Sequence, residues 1–285
     1  MQEIEKLGSL SYDDFMERYL KPGIPVVLTN GAASWKSEHS FTPDFFRERF
    51  GDYTTTHEDR VYAMREILDI TANSTPEHPS PYPILFEIPE QLAEFLPMVE
   101  PLHMNYAFPN WFRGKVIPYG RLGNNIHLFI GGVGNQYSLH KDMFHTNAWI
   151  TQLYGEKKFV VFPRDQEALL YPHDSGFISP INILKPDYEK YPKYRQATPI
   201  SVTLKPGETI FIPNGIWHTT VALSHNISLI FDQLNGHNFK AWKKDAYDYN
   251  KGKNKAKALA MYGLAHAMGS ICQVSELAGN KFRDN

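Results

Sequence analysis

The sequence predicts a mainly β protein with flanking helices and a helical C-terminal tail. Three observations predict it. Between residues 125 and 232, short runs rich in Ile, Val and Phe alternate with turns containing Gly, Pro and Asn, which is strand-and-turn patterning. Ahead of this block, two stretches carry helix start and stop signals. After about residue 238 the composition shifts, with Phe239, Trp242, Tyr249, Leu259, Tyr262, Leu264 and Met268 scattered through an Ala- and Lys-rich stretch of two or three helices. The 285 residues exceed an average domain, but barrels and sandwiches of 200–250 residues are common. Residues 1–237 are therefore expected to form one domain with core strands over about 125–232, and residues 238–285 a tail. No internal repeat, low-complexity tract or linker interrupts this layout.

The front begins with Ser11, an N-cap residue, followed by Phe15, Met16, Tyr19 and Leu20 at helical spacing and stopped by Pro22–Gly23. Ile24–Leu28 reads as a short buried strand ending at Asn30–Gly31. A second helix starts at Thr42 with Pro43 in its first position and stops at Gly51. Residues 60–70 fit strand or helix equally. Residues 73–83 carry four prolines and read as a loop; Ile84–Phe86 reads as a strand and Pro89–Phe95 as a short helix. Residues 101–124, rich in aromatic residues, Pro and Gly, are expected to lie over a cleft.

In the middle block, Asn125–Ile130, residues 146–154 and Lys157–Pro163 read as strands, with Gly155–Glu156 as a hairpin turn between the last two. Residues 163–198 form a polar insertion long enough to suggest a lid or binding rim. Strands over 200–204 and 208–212 flank Lys205–Pro206–Gly207, whose Pro-then-Gly order suits a type II turn. A strand over 226–232 closes the block.

Composition excludes several classes. A net charge of −2 offers no global field to draw nucleic acid or an anionic membrane. One cysteine, Cys272, rules out an intramolecular disulfide and fits a reducing compartment. The N-terminus lacks an apolar signal core, and no run approaches the length of a membrane span. A cytoplasmic protein without nucleic-acid or membrane partners is the expectation. Aromatic residues, at 14%, point to a ring-lined core or cleft.

The chemistry concentrates in Tyr137–Ser138–Leu139–His140–Lys141–Asp142. In extended chain, residues i and i+2 share a face, so His140 and Asp142 project together. His218, in Ile212–Pro213–Asn214–Gly215–Ile216–Trp217–His218, follows another strand–turn signal and is the candidate third ligand. Two imidazoles and one carboxylate on one side of a metal, with the other positions open, describe the non-haem iron(II) oxygenase triad. His145, three residues beyond Asp142, competes for a ligand or substrate role. His127 alternates with Phe129 and faces either a cavity or the core. Among the 12 histidines, His103, His173, His225 and His237 carry no signal.

The block from Asn125 to Asp232 resembles the Jumonji-C hydroxylases of the cupin superfamily, including the asparaginyl hydroxylase that inhibits hypoxia-inducible factor. Three motifs carry the resemblance: Leu128–Phe129–Ile130–Gly131 leading to His140–Lys141–Asp142; Gln152–Leu153–Tyr154–Gly155–Glu156–Lys157 continuing to Phe162–Pro163; and Lys205–Pro206–Gly207–Glu208 continuing to Trp217–His218. The entry Phe15…Tyr19–Leu20…Pro25–Val26–Val27…Trp35 fits as well. The resemblance covers about residues 10–235.

It implies a double-stranded β-helix, or jelly roll, as the core. It implies that His140, Asp142 and His218 hold Fe(II) and act as the catalytic centre. Lys157 would pair with the distal carboxylate of 2-oxoglutarate, and its alternation with Phe159 and Val161 aims it inward. Phe129, Tyr137, Thr146 and Asn147 are the remaining cosubstrate candidates. Tyr137 stands where relatives often have Thr or Ser, and Asp232 where they have Asn. The implied reaction uses O2, decarboxylates 2-oxoglutarate to succinate and CO2, and hydroxylates a C–H. The expected substrate is a protein or peptide side chain. The alternatives are the same chemistry on a small metabolite or natural product, and a cupin that binds metal or ligand without turnover. Tails after this domain form dimers in relatives, so a homodimer through the C-terminal helices is expected.

Overall fold

The computed structural model describes residues 4–33, 35, 40–99, 107–113, 126–280 and 282. Its strands are β1 (Lys6–Leu7), β2 (Val26–Leu28), β3 (Thr54–His57), β4 (Arg60–Ala63), β5 (Ile84–Glu87), β6 (Ile126–Gly131), β7 (Asn147–Tyr154), β8 (Lys157–Phe162), β9 (Ile200–Leu204), β10 (Thr209–Ile212), β11 (Trp217–Ala222) and β12 (Asn226–Gln233). The helices are α1 (Tyr12–Phe15), running on into a π turn at Met16–Leu20, α2 (Pro43–Phe50), α3 (Met64–Ala72), α4 (Ile88–Gln91), α5 (Phe239–Lys251) and α6 (Lys255–Leu277).

The helix signals of the front act as read. The Ser11 hydroxyl accepts from the Asp14 amide, and Thr42 caps α2 by accepting from the Phe45 amide. Residues 60–70 contain both alternatives, a strand to Ala63 and a helix from Met64.

The strands form two main sheets. The larger runs β1-β2-β10-β7-β12-β6-β5, and the smaller β11-β8-β9. The segment 135–140 widens the smaller sheet by pairing with β11, Gln136 opposite Val221 and His140 opposite His218. From β6 onward the chain alternates between sheets: β6 in the larger, 135–140 in the smaller, β7 larger, β8 and β9 smaller, β10 larger, β11 smaller, β12 larger. This winding is a double-stranded β-helix.

The hairpin expected at Gly155–Glu156 is not formed. β7 pairs with β10 and β12, whereas β8 pairs with β9 and β11. The turn is a corner between sheets, and the turn residues carry no information about which strand pairs next. Gly155 has φ +68°, and a Cβ there would lie 2.0 Å from the His225 carbonyl oxygen, so the corner needs glycine twice over. Lys205–Gly207 is a second corner. Gly207 has φ +87° and the Glu208 amide donates to the Lys205 carbonyl at 3.0 Å, the type II geometry expected.

Three apolar layers follow from period-2 alternation. Ala148, Ile150, Phe159, Val161, Ile210 and Ile212 fill the space between the sheets. The outer face of the larger sheet packs Trp149, Phe211 and Phe231 against the front helices, where Phe15 meets Trp149 and Phe211 at ring separations of 5.4 and 5.0 Å. Fully burying one such side chain is worth about 1.5–3 kcal/mol. The outer face of the smaller sheet is covered by the insertion, through Leu170, Ile181 and Tyr194 on Leu139, Val160, Phe162 and Trp217. The insertion thus completes the core as well as reaching the site.

Most of 101–124 lies outside the described residues. Its described part, 107–113, is buried against the end of β12 and the tail, with the Trp111 amide donating to the Leu234 carbonyl and its indole to Glu276. The tail is two helices, and no helix among the described residues is long and apolar enough to cross a membrane.

Candidate metal centre and cosubstrate cavity

His140 and His218 are directly opposite cross-strand neighbours. Each amide donates to the other's carbonyl, at 2.9 and 2.7 Å, so the two side chains leave the sheet side by side with ring centroids 4.3 Å apart. Asp142, two residues on, turns its carboxylate to both: Oδ1 lies 3.6 Å from His140 Nε2 and 3.9 Å from His218 Nε2. One ligand atom from each of the three residues lies within 4.8 Å of the others.

The imidazole tautomers are set by the backbone. His140 Nδ1 lies 2.8 Å from the Ser138 carbonyl and His218 Nδ1 3.0 Å from the Ile216 carbonyl. A carbonyl only accepts, so Nδ1 carries a proton in each ring, which leaves Nε2, on the side of Asp142, as the nitrogen placed to ligate a metal. Burial pushes the His218 imidazole down to about 4, which keeps it neutral. Two imidazole nitrogens and one carboxylate oxygen fit a divalent iron, and the fit comes from atoms in place rather than from residue type alone.

The three open into a cavity of about 350 Å³. Lys157 begins β8 and points into it, in step with Phe159 and Val161. It is 3% exposed. Among the described residues it has no carboxylate partner, only the Tyr82 ring at 5.9 Å. Burial pushes its ammonium from 10.5 down to about 7. A buried cation without a counter-charge is costly, and a bound carboxylate would supply the missing anion. Phe129, Tyr137 and Tyr82 wall the cavity with mutual ring separations of 6.1–6.5 Å. Burial keeps both tyrosine hydroxyls protonated, and Tyr82 is hydrogen-bonded with Thr220.

Thr146 and Asp232 also line the cavity; Asn147 does not. Thr146, Ala148 and Ile150 share the inward face of β7 and its lead-in, so alternation turns Asn147 the other way. Its carboxamide oxygen accepts from the Asn214 amide at 2.9 Å and side chain at 3.1 Å, steadying the loop that leads to His218. Asn147, expected among the cosubstrate candidates, thus lies off the cavity lining and supports the loop before His218. His145 stands outside the ligand cluster and is hydrogen-bonded through Nδ1 with Asp245. His127 faces the cavity.

Among the lining residues that the sequence did not single out for the site are Tyr82, Thr220, Phe144 and Trp242. Thr220 was reachable, because it lies two residues beyond His218 on the same strand face. Tyr82 comes from the proline-rich loop and Trp242 from the tail, and no local pattern links either to the site. The flanks are tied together by Glu167, whose carboxylate accepts from Lys141 Nζ and from the Trp217 indole, both at 3.0 Å. Lys141 sits between His140 and Asp142, and Trp217 precedes His218, so one insertion residue braces both ligand strands.

Comparison with known proteins agrees with this architecture. The cupin-like domain family profile matches residues 63–231. The chain is 26% identical over 235 residues to arginine-specific demethylase JMJ22 of Arabidopsis thaliana, covering 79% of this chain and 45% of that protein. It is 33% identical over 127 residues to HSPB1-associated protein 1 of Homo sapiens, covering 40% and 26%. It is 22% identical over 259 residues to the human 2-oxoglutarate and iron-dependent oxygenase JMJD4, covering 82% and 62%. The chain thus spans between about a quarter and three fifths of the length of these relatives. With more than half of its length matched by the profile and with the sheet order described above, the chain belongs to the cupin-like domain family.

Proposed function

We propose that this chain is an Fe(II)- and 2-oxoglutarate-dependent oxygenase that hydroxylates a C–H of a protein or peptide side chain. One observation carries the reading: a two-histidine, one-carboxylate cluster shares a cavity with a buried lysine that lacks a carboxylate partner among the described residues. The cluster suits iron, and the lysine suits the far carboxylate of a keto-diacid whose other end reaches the metal. The names of JMJ22 and JMJD4 point the same way. JMJD4 is named for 2-oxoglutarate and iron and JMJ22 for demethylation, and oxidative removal of an N-methyl group begins with hydroxylation of its C–H.

His140, Asp142 and His218 would hold the iron, which when bound supplies oxidation of a C–H by O2 coupled to decarboxylation of 2-oxoglutarate. The remaining work belongs to side chains of this chain. Lys157 orients the cosubstrate by charge. Phe129, Tyr82 and Tyr137 exclude water around it. Met143, 48% exposed and adjacent to Asp142, stands where a substrate would approach.

A homodimer through α6 is part of the proposal. Leu264, Ala267, Ile271 and Val274 recur at spacings of four and three residues on the exposed side of α6, the pattern of a helix–helix seam. Leu264, Ile271 and Val274 are 62–68% exposed. A second copy presents the same seam, so the contact is self-complementary.

The test is succinate formation from 2-oxoglutarate by the chain with Fe(II) and O2, first alone and then with peptide libraries. Iron-dependent succinate that rises with a peptide supports the reading. Stoichiometric iron binding with no succinate under any condition identifies a non-catalytic cupin instead.

A further inference from the structure

Directly after Asp142 the backbone does something uncommon. Met143–His145 make one tight turn in which Phe144 (φ 58°, ψ 21°) and His145 (φ 50°) both adopt the left-handed conformation. Two successive non-glycine residues there are disfavoured, so the turn persists only if its surroundings impose it. The surroundings are α5, the first helix of the tail.

Four residues at and along α5 hold the turn. The Asn238 side chain donates to the His145 carbonyl at 3.0 Å. Trp242 shares the wall of the metal cavity with Phe144. The Asp245 carboxylate is hydrogen-bonded with His145 Nδ1. Tyr249 meets the Phe144 ring edge-on at 5.6 Å. Residues 238, 242, 245 and 249 step by four, three and four, which places them on one helical face. That face is turned toward the ligand turn and the cavity. α5 is held in place in its own right. Asn238 also donates to the Gln233 carbonyl at the end of β12, and Gly269 of α6 allows such close approach that a Cβ there would lie 2.0 Å from the Phe239 ring.

We infer that α5 aims the metal ligand Asp142: Asp245 acts through His145, and Tyr249 through Phe144, as positioning residues for that carboxylate. The tail is then a working part of the metal centre, beyond any part it plays in dimerisation. The inference rests on the reading that His140, Asp142 and His218 bind a metal. Release of the clamp lets Phe144 and His145 relax toward right-handed or extended backbone, and Asp142 swings away from the two histidines. The histidine pair itself is held by the sheet and stays.

Titration of the metal-free full-length chain with Co(II), followed by its visible d–d absorption, tests this without turnover. The wild-type chain takes up one Co(II). Asp245→Asn keeps the side-chain shape but removes the charged acceptor, and is expected to weaken Co(II) about tenfold. Its d–d bands should also change, because a protein carboxylate ligand is exchanged for water. Tyr249→Ala, at a position 50% exposed and so of little risk to folding, shifts affinity in the same direction by a few fold. Lys244→Ala, on the outer side of the same helix, changes neither affinity nor spectrum. A general loss of stability would lower the melting temperature without altering the Co(II) spectrum of the folded protein. Wild-type affinity and spectrum in folded Asp245→Asn and in Tyr249→Ala would overturn the inference alone. A wild-type chain that binds no Co(II) would overturn the metal assignment and the inference with it.

Discussion

Lys157→Met should make the protein more stable and less able to bind its cosubstrate. The lysine is 3% exposed, and burial lowers its pKa from 10.5 to about 7. A shift of that size corresponds to roughly 5 kcal/mol at neutral pH. Water entering the cavity relieves part of this, so the expected gain from Lys157→Met is about 1–3 kcal/mol. The sign with pH follows from the depressed value. Below pH 7 both folded and unfolded lysines are protonated and the folded state bears the full cost. Between about 7 and 10.5 the unfolded chain holds the proton that the folded chain has lost, so stability of the wild type rises with pH and the advantage of the variant shrinks. Urea unfolding of both proteins at pH 6.5 and 9 measures this. In parallel, loss of the charge-assisted contact should weaken 2-oxoglutarate about ten- to a hundredfold, read by calorimetry with a redox-inert metal bound. A variant that is destabilised at pH 6.5, or that binds 2-oxoglutarate like the wild type, would rule out an uncompensated buried ammonium at Lys157 that serves the cosubstrate.

Further outcomes follow from single contacts. Glu167→Gln leaves Lys141 and the Trp217 indole with a neutral partner and should cost about 1 kcal/mol in urea unfolding, with the midpoint moving down and the slope unchanged. Gly155→Ala meets both a left-handed backbone and the His225 carbonyl, and should cost about 3 kcal/mol or more, seen as a large fall in melting temperature. Ile271→Lys places a charge in the middle of the α6 seam; sedimentation should show a dimer for the wild type and a monomer for the variant, and two identical monomers would end the dimer proposal.

What the sequence could reveal divides by range. His140 and Asp142 were legible because strand alternation is a two-residue rule. His218 was reached through its flanking strand and turn signals, and the cross-strand pairing with His140 explains why two distant segments meet. Lys157 was legible because its inward neighbours Phe159 and Val161 are apolar. The same rule, applied to Thr146, Ala148 and Ile150, turns Asn147 away from the cavity, and the motif resemblance obscured that. Gly155–Glu156 reads as a hairpin because turn chemistry specifies a reversal and is silent about the partner strand. Both faces of β7 and β8 are buried, so their near-continuous apolar runs fit pairing in either sheet. The insertion reads as a rim by its polarity, while the few apolar residues that seal the smaller sheet, Leu170, Ile181 and Tyr194, lie far apart in the chain. Tyr82 and Trp242 reach the cavity from a loop and from the tail, through contacts that no local pattern encodes.

The site geometry supports one iron between His140, Asp142 and His218, with Lys157 placed for the cosubstrate. Anaerobic titration of the wild type, His140→Ala and His218→Ala with Fe(II) and 2-oxoglutarate, with bound iron counted after desalting, tests it most directly. One iron per chain is expected for the wild type, with a visible absorption band only when 2-oxoglutarate is also present, and near-complete loss of iron is expected in both variants. Full iron occupancy in both variants would contradict it.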